Sequence, residues 1–203
     1  MFKCFLLIAC LLFSLPTQGA GIMVFGDSLS AAYGIPQDSG WAVLLQQHLA
    51  QQHYSHRVVN ASISGETTHG GRYRIDQALA SHRPAIVILE LGANDGLRGL
   101  SLDATHDNLG AIIQACRKQH AQVLLVGMRL PPNYGPDYAG KFQDLYPQLA
   151  RRYKVKLVPF MLEGIADKRE LFQADGFHPT AAAQSFIMEQ IWKYLQPMLR
   201  RTP

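Results

Sequence analysis

The feature that most constrains this chain is a recurrence. Short apolar or β-branched runs at Ile22–Phe25, Arg57–Ala61, Ala85–Leu91, Gln122–Met128 and Lys156–Phe160 are each followed by a segment long enough for a helix. Several of the runs are continuously hydrophobic, the pattern of parallel strands covered on both faces rather than of an antiparallel sheet with one wet side. The intervening segments, Trp41–Gln52, Thr68–Ser81, Thr105–Gln119, Tyr138–Tyr153 and finally Ala181–Leu199, carry amphipathic spacing. Strand and helix alternate throughout, which predicts an α/β fold of three layers, α/β/α. Its five-stranded parallel sheet has right-handed crossovers and a flavodoxin-like strand order. In such a sheet, ligands bind beyond the carboxyl ends of the strands.

The first twenty residues read differently. Lys3 is followed by an apolar run from Cys4 to Leu15, then Pro16 and the small-residue end Thr17-Gln18-Gly19-Ala20. This is the pattern of a secretory signal peptide, with cleavage near Gly19 or Ala20, and the run is shorter than the roughly 20 apolar residues of a spanning helix. Leu7-Ile8-Ala9-Cys10 also resembles a lipoprotein cleavage box, which would leave Cys10 lipid-bearing. The reading is a signal peptide over 1–20 and a single domain over 21–203, exported to the periplasm and in some settings beyond. Removal of the leader leaves Cys116 as the only cysteine, so the fold rests on its core and not on disulfides.

A formal charge of +4 is spread along the chain, with basic pairs at Arg151-Arg152 and Arg200-Arg201. Nucleic-acid binding calls for a clustered basic stripe with interleaved aromatics, and none is present. The mild positive balance suits transient contact with an anionic lipid surface. No repeat or linker divides the chain, no zinc or thiol-redox framework is present, and a monomer is expected.

The chemistry-bearing residues fall just after strands or in the last loop. The first run ends in Gly26-Asp27-Ser28-Leu29-Ser30, where a glycine permits a tight turn and a serine leaves the sheet. Serine there also serves as a cap, and G-x-S-x-G is absent, so an α/β-hydrolase elbow does not apply. Asp27 is adjacent to Ser28 and reads as a turn residue. A nucleophilic serine needs a histidine oriented by a carboxylate. His48, His53, His56, His69, His82, His106 and His120 sit in polar or helix-end contexts, whereas His178 lies in Asp175-Gly176-Phe177-His178-Pro179, a loop that lets Asp175 curl back onto the imidazole. Oxyanion donors are offered by Gly65 in Ser62-Ile63-Ser64-Gly65-Glu66-Thr67 and by the Asn94 amide in Gly92-Ala93-Asn94-Asp95.

The blocks GDSLS, SISGET, GAND and DGFHP, in this order, resemble the SGNH/GDSL hydrolase superfamily. The stretches VVNASISGET, LELGANDGLRG, RLPPNYG and DGFHP resemble more closely the bacterial multifunctional thioesterase I/lysophospholipase L1/arylesterase group. The resemblance runs through nearly the whole mature chain. It implies Ser28 as nucleophile, His178 as base, Asp175 as its orienter, an oxyanion hole of Ser28, Gly65 and Asn94, and no metal or organic cofactor. Leu29, Met128, Pro131, Phe160 and Phe177 are expected to form apolar walls for an acyl or aryl group. Gly96 and Gly99 bracket a loop that would open and close over the chain. The substrates implied are small acyl esters, thioesters and lysophospholipids. The alternatives are a carbohydrate-ester deacetylase and a binding protein on the same fold.

Overall fold

The computed structural model describes residues 21–199. The leader read over residues 1–20, with the Cys10 box, and the Arg200-Arg201 pair lie outside the described residues. The strands are β1 (Gly21–Gly26), β2 (Arg57–Asn60), β3 (Ile86–Glu90), β4 (Gln122–Val126) and β5 (Lys156–Val158). The helices are α1 (Trp41–Gln51), α2 (Thr68–His82), α3 (Ala93–Leu97), α4 (Leu102–Lys118), α5 (Pro136–Tyr153) and α6 (Gln184–Leu195).

All pairings are parallel and the order is β2-β1-β3-β4-β5, the flavodoxin-like arrangement that the alternation predicts. β1 and β3 form the middle of the sheet, and every residue of Ile22–Phe25 and Ile86–Glu90 is buried. Both faces of these strands are thus covered, which is why they read as unbroken apolar runs. Trp41, Leu45 and Leu49 at helical spacing seal one face through α1. Leu109, Ile112, Ile113 and Cys116 of α4, with Leu145, Tyr146 and Leu149 of α5, bury the inner sides of their helices. Each such aliphatic side chain contributes about 1.5–3 kcal/mol when taken fully from water. Burial pushes the Cys116 thiol up to about 12, so it behaves as a small apolar residue.

Element ends follow local chemistry. Thr67 and Ser101 accept hydrogen bonds from Gly70 and Ala104, capping α2 and α4. Ser101 accordingly starts α4 three residues earlier than the apolar spacing alone indicates. Pro136 stands at the first position of α5, where its missing N–H costs nothing. The last helical segment is divided: 3-10 turns at Ala181–Ala183 and Gln196–Met198 flank α6. A short helix, α3, occupies what reads from sequence as a loop after β3. Gly96 is packed inside it, where a Cβ would lie 2.7 Å from the Phe142 ring and 2.8 Å from Leu130. It is therefore a close-packing glycine rather than a hinge, and only Gly99, at φ +65°, has the left-handed backbone of a flexible turn. His56 also departs from its sequence reading: it is 6% exposed, and burial lowers its pKa.

Candidate active site

Ser28 follows β1 at the carboxyl edge of the sheet. Here the chain turns at once, with Ala31 N–H donating to the Asp27 carbonyl at 2.9 Å. Asp27 Oδ1 accepts from Leu29 N–H at 3.0 Å, an Asx-type turn that wraps around Ser28 and leaves its side chain on the rim. Gly26 is required by proximity: a Cβ there would meet Glu90 Oε2 at 2.6 Å and the Glu90 carbonyl at 2.8 Å.

The partner loop comes from the other end of the chain. Phe172 and Pro179 form an antiparallel bridge, and Gln173 N–H donates to the His178 carbonyl at 2.8 Å, closing residues 173–178 into a compact turn. Inside it, Asp175 Oδ1 accepts from the N–H groups of Phe177 and His178 at 2.9 and 3.0 Å. Asp175 Oδ2 lies 2.7 Å from His178 Nδ1, and His178 Nε2 lies 2.9 Å from Ser28 Oγ. The partial burial of Asp175 works against its charge, yet the hydrogen bonds from the His178 backbone and ring and from Phe177 hold its carboxyl down at about 2. The ionised carboxylate is purely an acceptor, so it takes a hydrogen bond from Nδ1–H and leaves Nε2 facing the serine hydroxyl. The Tyr33 ring, 4.5 Å from the imidazole centroid to centroid, flanks His178. Gln173 Nε2 joins the two loops by donating to the Tyr33 and Pro179 carbonyls at 2.8 and 3.1 Å.

Opposite the imidazole stand three donors. Among the described residues, the backbone N–H groups of Ser28 and Gly65 have no hydrogen-bond partner within the protein. Gly65 has φ +79°, a backbone that favours glycine. Asn94 donates through Nδ2 to Asp27 Oδ2 at 3.0 Å, which leaves its second N–H uncommitted. Arg98 Nη2 donates to the Gly65 carbonyl at 3.0 Å and to Asn94 Oδ1 at 3.3 Å, so one guanidinium ties two of the three donor-bearing residues together. Beneath Gly65, Arg74 pairs with Glu66, donates to the Ala61 carbonyl at 2.7 Å and lies over the Phe25 ring.

Three carboxyl groups are buried under this layer. Burial pushes Asp27 up to about 6, against hydrogen bonds from Leu29 and Asn94 that lower it. Glu90 is also pushed well above the ordinary carboxylate range, by burial and next by the Asp27 charge, and accepts from Ser30 Oγ at 2.7 Å. Asp95 accepts from Thr68 N–H at 2.9 Å and Thr68 Oγ1 at 2.5 Å, locking α3 to the start of α2.

A cavity of about 530 Å³ opens beside Ser28, Asn94 and His178. All of the wall residues predicted from sequence line it: Leu29, Met128, Pro131, Phe160 and Phe177. Leu29, Met128 and Phe160 are also nearly fully buried, so they serve core and cavity together. Gly65 does not line this cavity. Leu130 and Pro132, in the same stretch after β4, line it too, whereas sequence reading missed Leu97, Leu162, Ala166 and Phe172. It also missed Arg98 and Glu90. The only available signal was position, an arginine four residues after Asn94 and a lone acid closing an apolar strand.

Residues 24–185 match the model of the GDSL-like Lipase/Acylhydrolase family. The chain is 46% identical over 200 residues to Esterase TesA of Pseudomonas aeruginosa, covering 97% of this chain and 100% of that one. It is 40% identical over 178 residues to Thioesterase 1/protease 1/lysophospholipase L1 of Escherichia coli K12, covering 88% and 84%. A crystal structure of TesA superposes with a TM-score of 0.87 at 47% identity, covering 88% of this chain and 99% of that one. On its sequence, its sheet order and its relatives alike, the chain belongs to the GDSL-like lipase/acylhydrolase family and is an ester hydrolase.

Proposed function

We propose that this enzyme cleaves carboxylic esters and thioesters of apolar acyl groups through an acyl-serine intermediate, with Ser28, His178 and Asp175 as its reacting unit. The observation that carries the reading is the unbroken series from Asp175 Oδ2 to His178 Nδ1 at 2.7 Å and from His178 Nε2 to Ser28 Oγ at 2.9 Å, beside an apolar cavity. His178 takes the hydroxyl proton as Ser28 Oγ attacks the carbonyl carbon, and Asp175 stabilises the resulting imidazolium. Negative charge moves onto the carbonyl oxygen, where the N–H groups of Ser28, Gly65 and Asn94 receive it, each worth roughly 3–4 kcal/mol in comparable sites. The C–O or C–S bond breaks as His178 returns the proton to the leaving alcohol or thiol. Water activated by the same imidazole then attacks the acyl-serine, releasing the acid and restoring the serine.

The lining of Leu29, Leu97, Met128, Leu130, Phe160 and Leu162 favours a hydrocarbon chain over the acetyl group of a carbohydrate ester. The relatives' names, esterase and thioesterase/lysophospholipase, support small acyl esters, thioesters and lysophospholipids as substrates. The leader pattern over residues 1–20 supports export to the periplasm.

A fluorophosphonate probe tests the chemistry. Wild type should be labelled and Ser28→Ala should not; an unlabelled folded wild type sinks the serine-nucleophile reading. Rates across p-nitrophenyl esters of increasing chain length test the cavity, and activity restricted to acetate would transfer the preference to the deacetylase alternative.

A further inference from the structure

A second cavity of about 530 Å³ lies at the opposite end of the sheet, where α4 and α5 deliver the chain into β4 and β5. Its polar lining is Arg117, His120, Gln122, Tyr153, Lys154 and Lys156, and its apolar walls are Ala121, Val123, Val155 and Met198. No lining residue is acidic. Lys118 adjoins it, and Arg57 and Arg83, at the starts of β2 and β3, extend the same sign along this end of the molecule.

A bland account exists for basic residues here: they complement the negative C-terminal ends of helices. Arg117 does so directly, donating to the Tyr153 carbonyl at 3.2 Å. The magnitudes do not balance, however. Each helix end carries about half a negative charge, so α4 and α5 together offset roughly one of the four full charges on Arg117, Lys118, Lys154 and Lys156. Among the described residues, the ion pairs lie elsewhere, at Arg74–Glu66, Arg129–Glu163 and the two histidine pairs, and none involves these four cations. Among the described residues the helical carboxylates lie in the first two-thirds of their helices, and none lines this cavity.

We propose that this cavity binds the phosphate of an acidic phospholipid headgroup and thereby docks the protein on an anionic bilayer, with the Ser28 rim facing away from the surface. Cationic donors supply the phosphate contacts, and the Val123, Val155 and Met198 walls suit the less polar glycerol region below it. The one aromatic of the lining, Tyr153, is half-buried with its hydroxyl accepting from Gln114, so it offers no free stacking face for a nucleic-acid base.

Vesicle co-sedimentation tests this without turnover, in a Ser28→Ala background, so that failure of the proposed hydrolytic chemistry does not affect the result. Vesicles of phosphatidylcholine with phosphatidylglycerol should bind the protein in a salt-sensitive manner, and phosphatidylcholine alone should not. The pair Lys154→Glu/Lys156→Glu should weaken binding by roughly 30-fold or more, as expected from about a fivefold loss for each cation removed near an anionic surface. Lys141→Glu/Lys168→Glu makes the same change in net charge on other elements and should bind like the parent. Circular dichroism verifies that both pairs fold. Equal weakening by both pairs would reduce the effect to net charge and overturn the site. Equal binding to neutral vesicles, or none to anionic ones, would also overturn it. Release by inorganic phosphate well beyond that by chloride at matched ionic strength would identify a free phosphate as the ligand and overturn membrane docking.

Discussion

Asn94 donates its amide to Asp27 at 3.0 Å, so the carboxylate adjoining Ser28 aims one of the three proposed oxyanion donors. The same carboxylate fixes the turn around Ser28 through Leu29 N–H. One buried side chain therefore sets the position of the proposed nucleophile relative to the Asn94 amide.

Asp27→Asn should lower kcat by roughly 10–100-fold while changing KM little, because the lost alignment matters mainly once the oxyanion forms. A stability profile separates this from misfolding. The folded pKa of about 6 lies above the ordinary 3.8, so the folded state binds the extra proton between those values. Stability from this group is present at low pH and declines as pH rises from about 4 to 6. Denaturation curves of Asp27→Asn across that window should be flatter than those of wild type, and an unchanged slope would contradict the assignment.

Arg98 makes a complementary prediction. Arg98→Ala frees the Gly65 carbonyl and Asn94 Oδ1, and kcat should fall roughly tenfold with little loss of stability, since the side chain is exposed. Arg98→Lys should recover part of the rate through one of the two contacts. A pure KM effect would show that Arg98 acts on substrate binding.

Asp175→Asn should cost roughly 10²–10⁴-fold in kcat, because an amide can present N–H to Nδ1 and select the wrong tautomer. The wild-type carboxyl, held near 2 against an ordinary 3.8, adds stability that is complete above about pH 4 and lost as pH falls toward 2. Acid titration of the folded fraction should show Asp175→Asn less sensitive over that interval.

Gly26→Ala should destabilise by about 1–3 kcal/mol through overpacking against Glu90. Thermal denaturation reads this directly. A neutral result would mean that β1 and β3 can separate at their carboxyl ends.

Much of this was legible in advance for a definite reason. Parallel strands such as Ile22–Phe25 and Ala85–Leu91 are buried on both faces, so they announce themselves as apolar runs, and strand order then places every post-strand motif on one rim. Asp175 and His178 were legible because their pairing is local, closed by three residues of loop. The links from Arg98 to Gly65, from Ser30 to Glu90 and from Gln173 to Tyr33 were not, since each acts across 33 or more residues of sequence and depends on where loops cross. The short helix α3 escaped for a different reason: five residues with a glycine inside carry no periodic signal. Leu162 and Ala166 were missed because they lie beyond the strand end from which the wall was read.

The loop of residues 173–178 carries both imidazole and carboxylate, whereas the nucleophile and the donor groups belong to the strand ends. The imidazole and its carboxylate partner thus travel together, held to β1's turn by the Gln173 bond to the Tyr33 carbonyl and to the preceding segment by Arg169, which donates to the Phe172, Gln173 and Ala174 carbonyls. Warming can detach this small unit while the sheet and its helices stay intact. Heat should extinguish turnover several degrees before the molecule melts, and on cooling the activity should return as fast as one loop reseats, without waiting for a chain to refold.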